Sequence, residues 1–215
     1  MTGGAAHCRL CNVDVMSRKI GLFGGTFNPV HFGHIRLARQ LLKLARLDEV
    51  WMMVSPQNPF KVNHELLPDS QRLEMVRLAL RREKGIKASD YEFRLSKPSY
   101  TWNTLQALAK DMPDCQFTLL IGGDNWASFP HWYHHEDIMK ACDVVVYPRE
   151  GANIDPSDLP DNVRLVDTRL INISSTEVRN RVASGKSIRG LVPKSVADYI
   201  ESNRLYTAGH ITAQS

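Results

Sequence analysis

The sequence predicts an α/β fold: a doubly wound parallel sheet with helices on both faces. Short apolar runs alternate with segments of helical periodicity along most of the 215 residues. The segments between apolar runs are long enough for right-handed crossovers rather than hairpins. Hydrophobic residues make up 43% and charged residues 23%, enough apolar material to bury a sheet on both faces. This composition excludes a disordered chain, a collagen and a disulfide scaffold. No apolar run reaches the ~18–20 residues of a membrane helix. Met1–Val15 has no apolar h-region, so no secretory leader is expected and the cytoplasm is the default compartment.

Lys19–Phe23 is the first short apolar strand. His34–Leu47 follows as a helix, with Ile35, Leu37, Ala38, Leu41, Leu42 and Ala45 at helical spacing. Val50–Val54 is the second strand and leads into the Pro/Asn-rich loop Ser55–Asn63. Leu66–Arg82 reads as a helix with Asp69 or Ser70 as N-cap. Ile86–Leu95 reads as strand, Ser99–Lys110 as helix, and Gln116–Ile121 as a strand ending in Gly122-Gly123. A loop and short helix run to Lys140, then a strand over Asp143–Tyr147 and an exposed loop over Gly151–Asn162. Val163–Asp167 is a strand, Ser175–Ser184 a helix stopped by Gly185, and Lys194–Asn203 the last helix. One domain over 18–207 is expected, between a flexible N-terminal extension, 1–17, and a tail, 208–215.

In such a sheet ligands bind beyond the carboxyl ends of the strands. Chemistry is therefore sought after Phe23, after Val54, after Ile121 and near Asp167. The first of these places carries the strongest signal, Gly24-Gly25-Thr26-Phe27-Asn28-Pro29-Val30-His31-Phe32-Gly33-His34. Gly24 and Gly25 permit close backbone approach. Main-chain N–H groups, the Thr26 hydroxyl and a helix N-terminus near Gly33 suit phosphate oxygens. One histidine alone would be read as a cap or a core residue. Two of them, His31 and His34, bracketing a helix start in a Gly-rich turn point to phosphate chemistry. Zinc would need a third and fourth ligand, and none is evident. The turn is neither a Walker A loop nor a G-x-G-x-x-G fingerprint.

The last strand end carries Ile173-Ser174-Ser175-Thr176-Glu177-Val178-Arg179. Its plain reading is a capped helix, with Ser174 or Ser175 as cap and Glu177 in the first turn. Three hydroxyls and a guanidinium also make a polyanion site. The net charge of +4 fits either reading: residues 1–163 balance at 19 basic and 19 acidic, so the whole excess lies beyond. That excess is too small, and too poor in aromatic partners, to suggest nucleic acid. Cys8-x-x-Cys11 has metal or redox spacing but lacks a second ligand pair and precedes the first strand.

The His31–His34 stretch closely resembles the H-x-G-H signature of the nucleotidyltransferase superfamily, and Ile173–Arg179 resembles its I-S-S-T-x-I/V-R signature. The resemblance implies a Rossmann-like fold of nucleotidyltransferase type. It implies that His31 and His34 hold the α-phosphate region of a nucleoside triphosphate. Ser174, Ser175 and Thr176 would cradle the β- and γ-phosphates, and Arg179 would face the leaving pyrophosphate. Four further features resemble the nicotinate mononucleotide adenylyltransferase family over most of 19–205. In Ser55-Pro56-Gln57-Asn58-Pro59-Phe60-Lys61, Lys61 would neutralise the acceptor phosphate. In Ser99-Tyr100-Thr101-Trp102-Asn103-Thr104-Leu105, Thr101 would lie by the pyridine ring. In Ile121-Gly122-Gly123-Asp124, Gly122 and Asp124 would hold the ATP side. In Phe129-Pro130-His131-Trp132-Tyr133, Trp132 would stack on the ring and the Tyr133 N–H would meet its carboxylate. A flat ring wants an aromatic face and a carboxylate wants donors, so these residue types suit that acceptor. The chain departs from the common pattern at Asn28, where Asp is commoner, and at Phe60.

The expected reaction is adenylyl transfer from ATP to nicotinate mononucleotide, giving deamido-NAD and pyrophosphate. Mg²⁺ is expected with the ATP phosphates, with few protein ligands. The alternatives are the amide mononucleotide or phosphopantetheine as acceptor, a non-catalytic nucleotide-binding module, and a metal-dependent redox protein built on Cys8 and Cys11.

Overall fold

The computed structural model describes residues 17–56, 66–149, 154–169 and 172–207. The expected extension with Cys8 and Cys11, the tail, and Lys61 lie outside the described residues. Six parallel strands form one sheet: β1 (Arg18–Gly25), β2 (Glu49–Val54), β3 (Ile86–Ser89), β4 (Cys115–Gly122), β5 (Asp143–Tyr147) and β6 (Val163–Leu165). Their order is β3-β2-β1-β4-β5-β6. The chain winds outward from β1 to one edge, then restarts at β4 and winds to the other. The crevice beyond the carboxyl ends of β1 and β4 is thus the topological switch point, where an open parallel sheet binds ligands.

Alternation along each strand feeds two cores. On one face Phe23, Val50, Met52, Leu120 and Val145 pack with α1 (Phe32–Leu44), α2 (Asp69–Leu80), α6 (Ser175–Ala183) and α7 (Lys194–Ser202). On the other Ile20, Leu22, Met53, Leu119 and Val144 pack with α3 (Thr101–Asp111) and α5 (His135–Ala141), and α4 (Gly123–Ser128) lies beside them. In β1, Gly21 allows close packing: a Cβ there would sit 2.6 Å from Leu47 Cδ1 and 2.7 Å from Leu120 Cδ1. Among the described residues no helix is long and apolar enough to cross a membrane.

Two expectations give way. Ile86–Leu95 is strand only to Ser89 and then a 3₁₀ turn over Tyr91–Arg94. Ser89 Oγ accepts from the Tyr91 N–H at 3.3 Å and bends the chain off the sheet edge. The helix after the second strand is flanked by Pro68, not capped by Asp69 or Ser70. The Asp69 carboxylate is engaged instead by the Arg72 guanidinium at 2.5 Å.

Candidate active site

Helix α1 opens at the crevice with His31 as its flanking residue. His34 reaches back one turn, and its Nδ1 accepts from the His31 N–H at 3.3 Å. An accepting Nδ1 carries no proton, so the neutral ring holds its proton on Nε2. The two imidazoles stack with centroids 3.7 Å apart. Gly33 makes room for this, since a Cβ there would lie 2.8 Å from His31 Nδ1 and 3.4 Å from the Ile173 carbonyl oxygen. Burial, reinforced by Arg149, lowers the His31 pKa to about 4. Burial, then His31, then Arg149 hold His34 well below the usual histidine range. Both rings are therefore neutral donors near pH 7 in a site of positive potential. His31 is only 5% exposed, its ring set against the main chain of the first turn of α1.

The second signature meets the first here. Ser174 caps α6, its Oγ accepting from the Glu177 N–H at 3.1 Å, as the cap reading expects. Ser175 Oγ crosses to the Pro29 carbonyl at 2.9 Å. His31, Gly33, His34, Ser174 and Ser175 line one cleft of about 250 Å³ together with Tyr147, Arg149, Thr168 and Arg169. Arg179 is tied to the turn, donating to the Asn28 carbonyl at 3.0 Å and to Thr176 Oγ1 at 3.4 Å. Gly24 and Thr26 are exposed at the end of β1, and the Gly25 carbonyl accepts from the Ser55 N–H at 2.9 Å. The Phe27 side chain is buried, edge-on to His34 with centroids 5.0 Å apart, so only its main chain is free to meet a ligand. Gly122 is buried at the end of β4, where a Cβ would collide with the Asp124 carboxylate. Asp124 is exposed, 4.0 Å from Arg149 Nε, and is joined to the cleft through that guanidinium.

A second cleft, about 380 Å³, opens beyond β2 between Ser55, Pro56, Ser99, Tyr100, Thr101, Trp132 and Tyr133. Thr101 opens α3, whose first turn holds no acidic residue and presents free N–H groups. Tyr100 and Tyr133 are exposed with ring centroids 4.7 Å apart. Trp132 is half-buried on Phe129, centroids 5.3 Å apart, so it serves the core and the cleft at once. Below this cleft the Thr104 hydroxyl meets Glu92 at 3.1 Å. Burial raises the pKa of that carboxyl. A larger cleft of about 950 Å³ lies at the opposite ends of β1, β4 and β5, among Lys19, Gln116 and Asp143, and gathers no comparable set.

The structure lines one cleft with His31, Gly33, His34, Ser174 and Ser175 and a second, also at the carboxyl edge of the sheet, with Thr101, Trp132 and Tyr133, whereas Gly24, Gly25, Thr26, Phe27, Gly122, Asp124, Thr176 and Arg179 line neither. It adds Arg149, Tyr147, Thr168 and Arg169. Arg149 lies two residues beyond β5, and the strand-end rule applied to that strand as well would have reached it. Of the eight basic side chains beyond residue 163, Arg181 pairs with Glu177 and Lys194 with Asp198 on exposed helix faces, away from the cleft.

The chain belongs to the cytidylyltransferase-like family, a class of nucleotidyltransferase: that family's description matches residues 22–181. A probable nicotinate-nucleotide adenylyltransferase of Bacteroides fragilis is 46% identical over 171 residues, 80% of this chain and 85% of that protein. The Bacteroides thetaiotaomicron protein of the same name is 45% identical over 182 residues, 85% and 90% of the two chains. Within the class, the chain is thus a member of the nicotinate-nucleotide adenylyltransferases. In fold it is similar to the Plasmodium falciparum nicotinic acid mononucleotide adenylyltransferase solved with NaAD, at a TM-score of 0.73 and 20% identity over 88% of this chain and 97% of that one.

Proposed function

We propose that this protein transfers the adenylyl group of ATP to nicotinate mononucleotide, forming deamido-NAD and releasing pyrophosphate. The observation that carries this is the pairing of two clefts at one sheet edge. One is lined by imidazole, guanidinium and hydroxyl groups. The other is lined by aromatic rings and a helix N-terminus. The first suits a triphosphate, the second a flat ring bearing a carboxylate.

The acceptor phosphate oxygen attacks the α-phosphorus of ATP in line, and the bond to the β-phosphate oxygen breaks. That oxygen is already ionised at neutral pH, so no general base is assigned. His34 donates from Nε2 toward the α-phosphate, His31 stands beside it, and Ser174, Ser175 and Thr176 take the outer phosphates with Arg179. Arg149 adds positive charge from the β5 side, and Asp124 steers that guanidinium. Thr101, Trp132 and the Tyr133 main chain hold the acceptor ring, and Lys61 meets its phosphate. Positioning two polyanions supplies roughly 7–11 kcal/mol of the barrier reduction. Each oriented donor supplies about 3 kcal/mol.

Among the described residues no three His, Cys, Asp or Glu side chains converge as a metal site. The donor set of the cleft builds no cage for a cation, and Mg²⁺ would be carried on the ATP phosphate oxygens and water. Pyrophosphate release by the purified protein, with ATP and each of nicotinate mononucleotide, its amide and phosphopantetheine, tests the reading. Release dependent on the acid mononucleotide is expected. Equal or greater turnover with either other acceptor, or none with any, overturns it.

A further inference from the structure

The turn that carries the first signature is fastened from behind. Arg72 Nη1 donates to the Thr26 carbonyl at 2.6 Å, while from the cleft side Ser175 Oγ donates to that of Pro29 at 2.9 Å. Tyr206 OH donates to Asn28 Oδ1 at 2.8 Å across 178 positions of sequence. The Leu67 N–H reaches the same oxygen at 3.4 Å. Neither Arg72 nor Tyr206 lines the cleft of His31 and His34.

Arg72 is fully buried, at 0% exposure. A guanidinium withdrawn from water in this way is costly unless all its donors are met. Each of its three nitrogens donates: Nη1 to Thr26 O, Nε to Leu67 O at 2.9 Å and Nη2 to Asp69. Tyr206 is held in the left-handed region, with φ 60, and Phe27 likewise, with φ 47. Neither is glycine, so each conformation persists only where its surroundings impose it. Burial pushes the Tyr206 hydroxyl above its usual range, and it stays a neutral donor. In a trans peptide the C=O and the next N–H point to opposite sides. Anchoring Thr26 O backward therefore aims the Phe27 N–H forward.

We propose that Arg72 and Tyr206 are positioning residues for adenylyl transfer, which fix the Thr26–Asn28 segment from its rear and thereby hold its main-chain donors and the His31 ring on the triphosphate. The proposal rests on the reading that this cleft takes ATP. The C-terminal Leu205-Tyr206 pair then acts as a latch on a turn formed near the start of the domain.

Tyr206→Phe tests this most cleanly, because it removes one hydroxyl and keeps the ring that packs in the core. A buried acceptor losing its donor predicts a KM for ATP raised about five- to tenfold, with the mononucleotide KM within about twofold of wild type. Without substrates, amide hydrogen exchange should quicken over residues 24–31 and stay unchanged in α3 and α5. Arg72→Lys, which keeps the charge and loses the fork, should give the larger version of the same split; if it fails to fold, Tyr206→Phe alone decides. Unchanged ATP KM and unchanged exchange in the turn overturn the proposal. So does an equal loss for both substrates with a uniform rise in exchange, which marks a merely structural role. A wild-type protein inactive with every acceptor sinks the functional reading instead, while the exchange measurement still judges the latch.

Discussion

The rings of His31 and His34 stack with centroids 3.7 Å apart and an interplanar angle of 26°. Two cationic imidazoles would repel at this distance, and the pair stays neutral by burial and by the nearby Arg149. The Nε2 proton of His34 is the donor left to face phosphate. His34→Ala should lower kcat by about 10²–10³, the loss seen when one oriented donor is removed from a site of developing charge. His34 also accepts from the His31 N–H at the start of α1, so the variant should lose about 1 kcal/mol of stability with that cap. Steady-state turnover with a parallel thermal scan checks this, and full kcat in the variant would refute the assignment.

His31 makes a prediction about acid. Unfolded, its imidazole takes a proton near 6.5, while in the folded protein it resists until about 4. Above pH 6.5 both states are neutral, and this group puts no slope on stability. Between 6.5 and about 4 the unfolded state binds the proton first, so stability falls as pH falls. The full loss is about 3 kcal/mol at 1.4 kcal/mol per pH unit. Urea unfolding at half-unit steps should show that decline in the wild type. In His31→Gln the part of the slope due to this residue should vanish.

Gly33 sets helix propensity against the site. Alanine in a helix is favoured over glycine by about 1 kcal/mol, so Gly33→Ala would ordinarily stabilise α1. Here the new Cβ would sit 2.8 Å from His31 Nδ1 and 2.9 Å from its Cε1. The ring must move, and with it the stack on His34. The expected result is no gain in melting temperature and a fall of about tenfold or more in kcat, since misplacement near 1 Å can cost more than that. A stabilised variant with wild-type kcat would show that the ring position does not matter.

These predictions draw on features of unequal legibility in the sequence. The alternation of apolar runs and helices was enough for the parallel sheet, because a strand buried on both faces has a strong local signal. His31, His34, Ser174 and Ser175 were legible because glycines and hydroxyls at strand ends have few structural uses beyond turns and caps. Arg72 was not. It stands in the run Gln71-Arg72-Leu73-Glu74, where nothing local separates a buried guanidinium from a solvated one. Its burial is decided by carbonyls from Thr26 and Leu67 that only the fold brings near. Tyr206 was hidden for the same reason, its partner lying 178 positions away. The strand expected over Ile86–Leu95 failed on Ser89, whose hydroxyl turns the chain where apolar content alone would have continued it.

Trp132 carries a divided prediction because it does two jobs. One part of the indole rests on Phe129 and the core behind α4, and another lines the cleft with Thr101 and Tyr133. Trp132→Ala should therefore cost stability of about 1–3 kcal/mol, less than a fully buried aromatic, whose loss costs about 3–5. It should also raise the mononucleotide KM by roughly tenfold through the lost ring face, with the ATP KM nearly unchanged. Because the two effects could be confused, Trp132→Phe separates them. The smaller ring keeps an aromatic face and most of the contact with Phe129, so stability should recover and the KM should fall back to within a few-fold of wild type. Trp132→Leu should restore much of the packing but not the stacking. If leucine recovers the mononucleotide KM as well as phenylalanine does, the side chain is filling space and the acceptor ring lies elsewhere.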